Sequence, residues 1–184
     1  MSPVSPSNSP STSASPWPPW KAYLDEVSPD GLDARLKDHG TRVTTGLTRL
    51  AEVGEDRAGV TYAPGKWSVR QVVGHLVVSH RIFVTRAVCI ARGEARNLPG
   101  YDENAYADGW PYEGVTLAAL ARAYAAEAAA TLAWLPLWSA ADRAREGVAN
   151  GTRVTPDQLL RALIGHELHH FSVLRDRYGL DILT

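Results

Sequence analysis

A chain of 184 residues that is 45% apolar can bury one sizeable core, so a single folded domain is expected. A formal net charge of -1 and a pI near 6.6 exclude the basic stripe that binding nucleic-acid phosphates demands, and positive and negative residues are interspersed as on a solvated surface. The lone cysteine, Cys89, rules out an internal disulfide and fits a small buried side chain in a reducing cytosol.

Residues 1–19 are mostly Ser and Pro and hold six of the twelve prolines. Such a segment buries too little to offset its ordering entropy, so it reads as a flexible tail ahead of a folded unit over 20–184, with Trp17 and Trp20 anchoring its end. No Lys or Arg precedes Lys21 and no apolar run follows the start, so no secretory signal is expected. From Pro29 onward Leu32, Leu36, Val43, Leu47 and Leu50 recur at steps of three, four or seven, one stripe of a helix that stops at Gly54. A loop carrying Tyr62, Pro64 and Gly65 leads to Ser68, which with Gln71 forms a capping box for a second helix reaching Arg92 and stopping at Gly93.

Residues 94–115 are rich in Gly, Pro, Asn and Asp and show no period; a loop of that length inside a small domain is more often functional than idle. A third helix spans Thr116 to Leu135, with Leu117, Leu120, Tyr124 and Leu132 on one stripe and Pro136 ending it. The apolar stretch from Leu117 to Trp138 is broken by Arg122, Glu127 and Pro136, whereas a membrane span needs roughly 20 uninterrupted apolar residues, so no membrane association is expected. Thr155, Pro156, Asp157 and Gln158 supply cap, first-turn proline, first-turn acid and box partner for a fourth helix to Tyr178, closed by Gly179. Four helices of about 20 residues and no strand pattern predict an all-α fold, an up-down four-helix bundle with a long loop between helices 2 and 3.

Five of the six histidines fall in the second and fourth helices. His166 and His170 are four apart, about 40° on the helical wheel, and share a face with Leu159, Leu163 and Val173. A lone inward histidine is usually a satisfied core residue. Two at this spacing leave several donors and acceptors to satisfy, which one divalent metal ion does at once. The run His166-Glu167-Leu168-His169-His170 also matches the His-Glu-x-x-His pattern of zinc proteases, but the longer form of that pattern wants Gly and His where Val173 and Asp176 stand. A third ligand must then come from upstream, from His75 or His80. These lie about 140° apart on the wheel; His80 sits among Val73, Leu76, Val77 and Val84, His75 in a mixed sector with Ser68, Ser79 and Arg86. Spacing does not choose between them.

Three blocks carry a family resemblance: Tyr62-Ala63-Pro64-Gly65-Lys66-Trp67-Ser68-Val69-Arg70-Gln71-Val72-Val73-Gly74-His75-Leu76, then Leu98-Pro99-Gly100-Tyr101-Asp102-Glu103, then Gly165-His166-Glu167-Leu168-His169-His170. In order and spacing they resemble the DinB-like (YfiT-like) superfamily over roughly residues 30–180. The resemblance implies a four-helix bundle with a metal site between helices, whose ligands map onto His75, His166 and His170. It is this mapping that selects His75 over His80. The Pro/Ser tail is not part of the family pattern.

Three neutral imidazoles leave a divalent ion, zinc or nickel, with open positions, as in catalytic sites. Such a position acidifies a bound water for hydrolysis or a thiol for transfer. The resemblance implies both chemistries: relatives include S-transferases and isomerases that use a low-molecular-weight thiol such as bacillithiol or mycothiol, and others described as metal-dependent hydrolases. The leading expectation is a cytoplasmic, metal-dependent thiol S-transferase acting on a small molecule, with Tyr101 and Asp102 in the substrate pocket and Glu167 either orienting a ligand or sitting at a helix contact. The alternatives are a hydrolase of a small substrate and a non-catalytic, stress-related metal-binding protein. The wide apolar face of the fourth helix (Leu160, Ile164, Leu168 and Phe171) predicts a homodimer.

Overall fold

The computed structural model describes residues 20–109, 112 and 114–183. The expected tail, Trp17 and the side chain of Trp20 lie outside the described residues. The chain begins with a short helix α1 (Trp20–Asp25) and continues with α2 (Leu32–Val53), α3 (Val69–Ala91), α4 (Glu103–Gly109), α5 (Leu117–Trp134), α6 (Ala140–Ala144) and α7 (Pro156–Tyr178). A hairpin of two three-residue strands, β1 (Gly147–Ala149) and β2 (Thr152–Val154), precedes α7.

Three of the four long helices begin on a side-chain cap. Ser68 and Gln71 close a reciprocal capping box on α3, Thr155 and Gln158 do the same on α7, and the Thr116 side chain accepts from the Ala119 amide at the head of α5. Gly179 takes the left-handed conformation just beyond α7. The stripe on α2 is buried from Leu32 to Leu50, and Leu117, Leu120 and Tyr124 of α5 face it.

The all-α four-helix bundle is built from α2, α3, α5 and α7. Its main interfaces run from α2 to α5, α5 to α3 and α3 to α7, while α2 and α3 scarcely touch. Two apolar clusters give the helix directions. One gathers Val43, Leu47 and Leu50 of α2 with Val69, Val72, Val73 and Leu76 of α3, Leu117 and Leu120 of α5 and Leu174 of α7. The other gathers Leu32 and Leu36 of α2 with Ala87 and Ile90 of α3, Leu135, and Leu159, Leu160 and Leu163 of α7. Hence α2 and α3 run in opposite directions, as do α5 and α7, whereas α3 and α5 run the same way. The chain leaving α3 must therefore travel back along the bundle before α5 can start, about 27 Å for the 18 residues of α5. That return is the physical reason for the long loop between the second and third long helices, and the loop holds α4 in its middle. Its start is pinned to the hairpin by backbone bonds from Leu98 to Val148 (2.9 Å) and from Asn150 to Leu98 (2.8 Å).

By length and composition α3, not α5, is apolar enough to cross a membrane; half of its most apolar stretch is buried inside the bundle, where α3 packs against α5 and α7. Most of the apolar face of α7 is covered from within the chain: Leu160, Ile164 and Phe171 are buried, Leu168 is half-buried, and α1 packs along the helix. Glycine allows that packing. A Cβ on Gly165 would stand 2.3 Å from the Tyr23 carbonyl oxygen, and one on Gly74 would stand 2.1 Å from the Tyr112 ring. Gly165→Ala must push α1 off α7 and is expected to lower stability by about 1–3 kcal/mol, a fall of several degrees in Tm. Gly59→Ala, which adds a carbon into open space, should leave Tm unchanged in the same thermal melt.

Candidate metal centre

Between the two apolar clusters lies a polar layer. On its α3–α7 side, His75 of α3 and His166 and His170 of α7 turn their rings together. The Nε2 atoms of His75 and His166 are 3.0 Å apart, and those of His170 and His166 3.1 Å. All three residues are buried and offer ligand atoms within 4.8 Å of one another. The four-residue step between His166 and His170 stacks them on one face of α7, and α3 delivers His75 across the interface. Aromatic rings wall the cluster: Trp67 lies 4.8 Å from His75 and nearly parallel to His170 at 6.2 Å, and Tyr23 and Phe83 flank His166 at 5.5 and 5.6 Å.

Protons do not satisfy this arrangement well. A ring nitrogen carries either one hydrogen or one lone pair, so His166 Nε2 can make one good hydrogen bond, not one to each neighbour. A metal ion takes all three lone pairs. Two nitrogens each about 2.0–2.1 Å from one ion stand about 2.9–3.4 Å apart at right-angled to tetrahedral angles, and the observed separations fall in that range. His166 Nδ1 is buried with no hydrogen-bond partner among the described residues, so the polar contacts of this ring are all on the Nε2 side. The cluster fits a metal site.

Electrostatics keeps the lone pairs available. Burial, reinforced by His166, lowers the His75 imidazole to about 3. Burial lowers His166 to about 4 against the upward pull of Glu167, and burial with His166 and His75 holds His170 well below its ordinary value. All three rings are neutral near pH 7.

The neighbouring residue on α7 behaves oppositely. Glu167 has no exposed surface, and its carboxylate is directed into the bundle, away from the three-histidine cluster. Its Oε2 accepts from His39 Nε2 of α2 (2.7 Å) and from the Tyr124 hydroxyl of α5 (2.6 Å); its Oε1 accepts from His80 Nδ1 of α3 (2.8 Å). The other nitrogen of His80 meets the Thr131 hydroxyl at 2.8 Å. Burial alone would raise the Glu167 carboxyl, but the electrostatic pull of His80 and the hydrogen bonds from His39 and His80 outweigh it and bring it to about 2. Both oxygens are engaged, so the carboxylate is not placed as the general base that the His-Glu-x-x-His pattern suggests. His80, the alternative third ligand, belongs to this second cluster. His39, its remaining imidazole, had no signal in the sequence, because no spacing pattern links α2 to a residue 128 positions away.

A cleft of about 670 Å³ opens beside His170, lined by Trp67, Lys66, Tyr62 and Tyr178 on one side and by Asn104 and Asp108 of α4 on the other. Tyr101 and Asp102, the expected pocket residues, are occupied otherwise. Tyr101 packs on Tyr106 at 4.9 Å beneath the Arg86 guanidinium, and burial together with Glu103 pushes its phenol up. Asp102 accepts from the Ala105 amide at the head of α4 (3.0 Å). The loop reaches the cleft through the next turn of chain.

A model of the DinB superfamily matches residues 43–174, a span holding all three clustered histidines. The chain belongs to the DinB superfamily. The solved structure of YfiT from Bacillus subtilis, described as a probable metal-dependent hydrolase with an unusual four-helix bundle topology, matches with a TM-score of 0.69 and 22% identity, over 80% of this chain and 87% of that one. At that identity the likeness is one of fold. No curated protein matches.

The buried neutral histidines make the stability of the metal-free protein pH-dependent. In the unfolded chain the rings titrate near ~6.5; folded, His75 and His166 stay neutral down to about 3 and 4. The unfolded state therefore binds more protons below ~6.5, and stability falls as pH drops, each ring adding about 1.4 kcal/mol per pH unit. Glu167, at about 2 when folded, joins only below its ordinary value of 4.5. Urea unfolding of chelator-treated protein between pH 7 and 5 should show this loss, and His75→Asn should make it shallower; a flat profile would mean that the rings are solvated when folded.

Proposed function

We propose that this DinB superfamily member is an enzyme that holds one divalent ion on His75, His166 and His170 and acts on a small molecule bound in the adjoining cleft. The convergence of three neutral imidazoles, with His170 in the wall of a cleft, carries this reading. A zinc or nickel ion there supplies a Lewis acid with open positions. The chain supplies the rest. Trp67 and Tyr23 shield the histidine rings from water, the aromatic wall of Trp67, Tyr62 and Tyr178 takes the apolar part of the substrate, and Lys66, Asn104 and Asp108 meet its polar groups. In this reading Asn104 and Asp108 contact substrate, while Tyr101 and Asp102 hold the loop that presents them.

Between the two chemistries, transfer of a low-molecular-weight thiol of the bacillithiol type is the better supported. A thiol gives up its proton readily, whereas hydrolysis calls for a base beside the attacking water. The carboxylate nearest in sequence, Glu167, has both oxygens engaged elsewhere. The cleft is also large enough for a thiol beside an electrophile. Hydrolysis is the second reading, favoured by the description of YfiT and by Asp108 in the cleft wall as a candidate base. The expected homodimer would need a surface other than the apolar face of α7, most of which the chain covers itself.

Elemental analysis of protein supplied with excess zinc or nickel is expected to give one ion per chain for wild type and for His80→Ala, and none for His75→Ala or His170→Ala. Full occupancy in His75→Ala would overturn the ligand set. Loaded protein is then offered ester and amide substrates alone, and electrophiles together with a low-molecular-weight thiol. Turnover confined to the first set would remove the transferase reading.

A further inference from the structure

We infer that Glu167, bound to His39, His80 and Tyr124, is the positioning residue that sets the geometry of the three-histidine metal site. The inference rests on the reading of His75, His166 and His170 as metal ligands.

Two polar rungs join α3 to α7. One is His75 to His166 at 3.0 Å; the other is His80 to Glu167 at 2.8 Å. On α3 their roots are five residues apart, about 7.5 Å along the axis; on α7 they are adjacent, about 100° apart around it. A single rung would leave α7 free to roll or slide about that contact. Two rungs at different heights on one helix and on different faces of the other remove both freedoms. The helix directions favour the second rung. Side chains lean toward the N-terminus of their own helix, and α3 and α7 run in opposite directions, so His80 and Glu167 lean toward each other.

The same carboxylate is tied to the two remaining long helices, through His39 on α2 and Tyr124 on α5. Each of the three other long helices thus sends one side chain to Glu167, and Glu167 stands one residue from His166 and three from His170. A shift of α7 that displaced the two ligands would break hydrogen bonds to a fully buried carboxylate. A rigid polar tether of this kind holds first-contact groups within the few tenths of an ångström that a coordination sphere needs.

A residue that merely stabilises the bundle would change melting behaviour and nothing else, so the test reads the metal directly. Wild type, Glu167→Gln, Tyr124→Phe, His39→Phe and the apolar-core variant Leu47→Ala are purified metal-free and titrated with cobalt(II), following the visible absorption bands and the dissociation constant. Glu167→Gln keeps the shape of the side chain but loses the charge and one acceptor. It is expected to shift the cobalt bands and to weaken binding on the order of tenfold or more. Tyr124→Phe and His39→Phe, each keeping a ring but losing one hydrogen bond, are expected to shift the bands less and in the same direction. Leu47→Ala is expected to lower Tm while leaving bands and affinity as in wild type. Wild-type bands and affinity in Glu167→Gln would overturn the inference while leaving the metal site standing. Should Glu167→Gln fail to fold, Tyr124→Phe and His39→Phe decide: altered bands support the tether, and unaltered bands in both overturn it. A wild type that takes up no cobalt would instead overturn the ligand reading on which the inference rests.

Discussion

A carboxylate sealed from water sits at the middle of the bundle, and the rest of the molecule is arranged around keeping it paired. A buried charge is tolerated only with partners at hydrogen-bond distance, and removing one of them typically costs about 3–5 kcal/mol. Glu167 draws its partners from three other helices, His39, His80 and Tyr124, so the bundle closes only when all four long helices are in register. The two apolar clusters on either side of this layer provide the driving force for collapse. Apolar contacts tolerate some sliding of one helix past another. The polar layer does not, and it selects one alignment.

Successive residues on α7 serve opposite electrostatic ends. His166 is pressed among aromatic rings and other neutral imidazoles, which keeps its proton off; Glu167 is surrounded by donors, which keeps its proton off too, but leaves a charge. The 100° step between neighbours on a helix is enough to place them in different surroundings. A motif that places histidine and glutamate side by side can thus serve two purposes, a set of neutral lone pairs gathered between α3 and α7 and a closed hydrogen-bond network toward the core.

Much of this was legible in the residues. Helices α3 and α7 announce themselves through Ser68 with Gln71, Thr155 with Gln158, and Gly179, because capping is local chemistry, and α2 and α5 through their apolar stripes. The pairing of His166 with His170 follows from helical pitch alone. The choice between His75 and His80 does not, because α3 is buried on more than one side: one face meets α7 at the cluster and another looks toward Tyr124 and Thr131 of α5, so both histidines lie inward and a wheel cannot rank them. Family resemblance pointed to His75, and the packing of α3 against α7 places it beside the pair. The partners of Glu167 were out of reach for a different reason, since contacts between residues 43, 87 and 128 apart leave no periodic trace. Helices α1 and α6 and the hairpin are too short to show a period at all. The loop lines the cleft through Asn104 and Asp108, a little beyond the Tyr101 and Asp102 expected there, and Asp102 instead accepts from the Ala105 amide at the start of α4.

The separation of His75 from His166 by 91 residues has a bearing on how the protein comes to be. Contacts between segments so distant in the chain form late, after the entropy of closing a long loop has been overcome. No fragment ending before α7 holds more than one of the three clustered histidines. An ion held by all three histidines would thus be captured only by the finished tertiary structure, and its occupancy would report whether the last interface has docked. A fault in remote packing would then show itself first as a deficiency in metal.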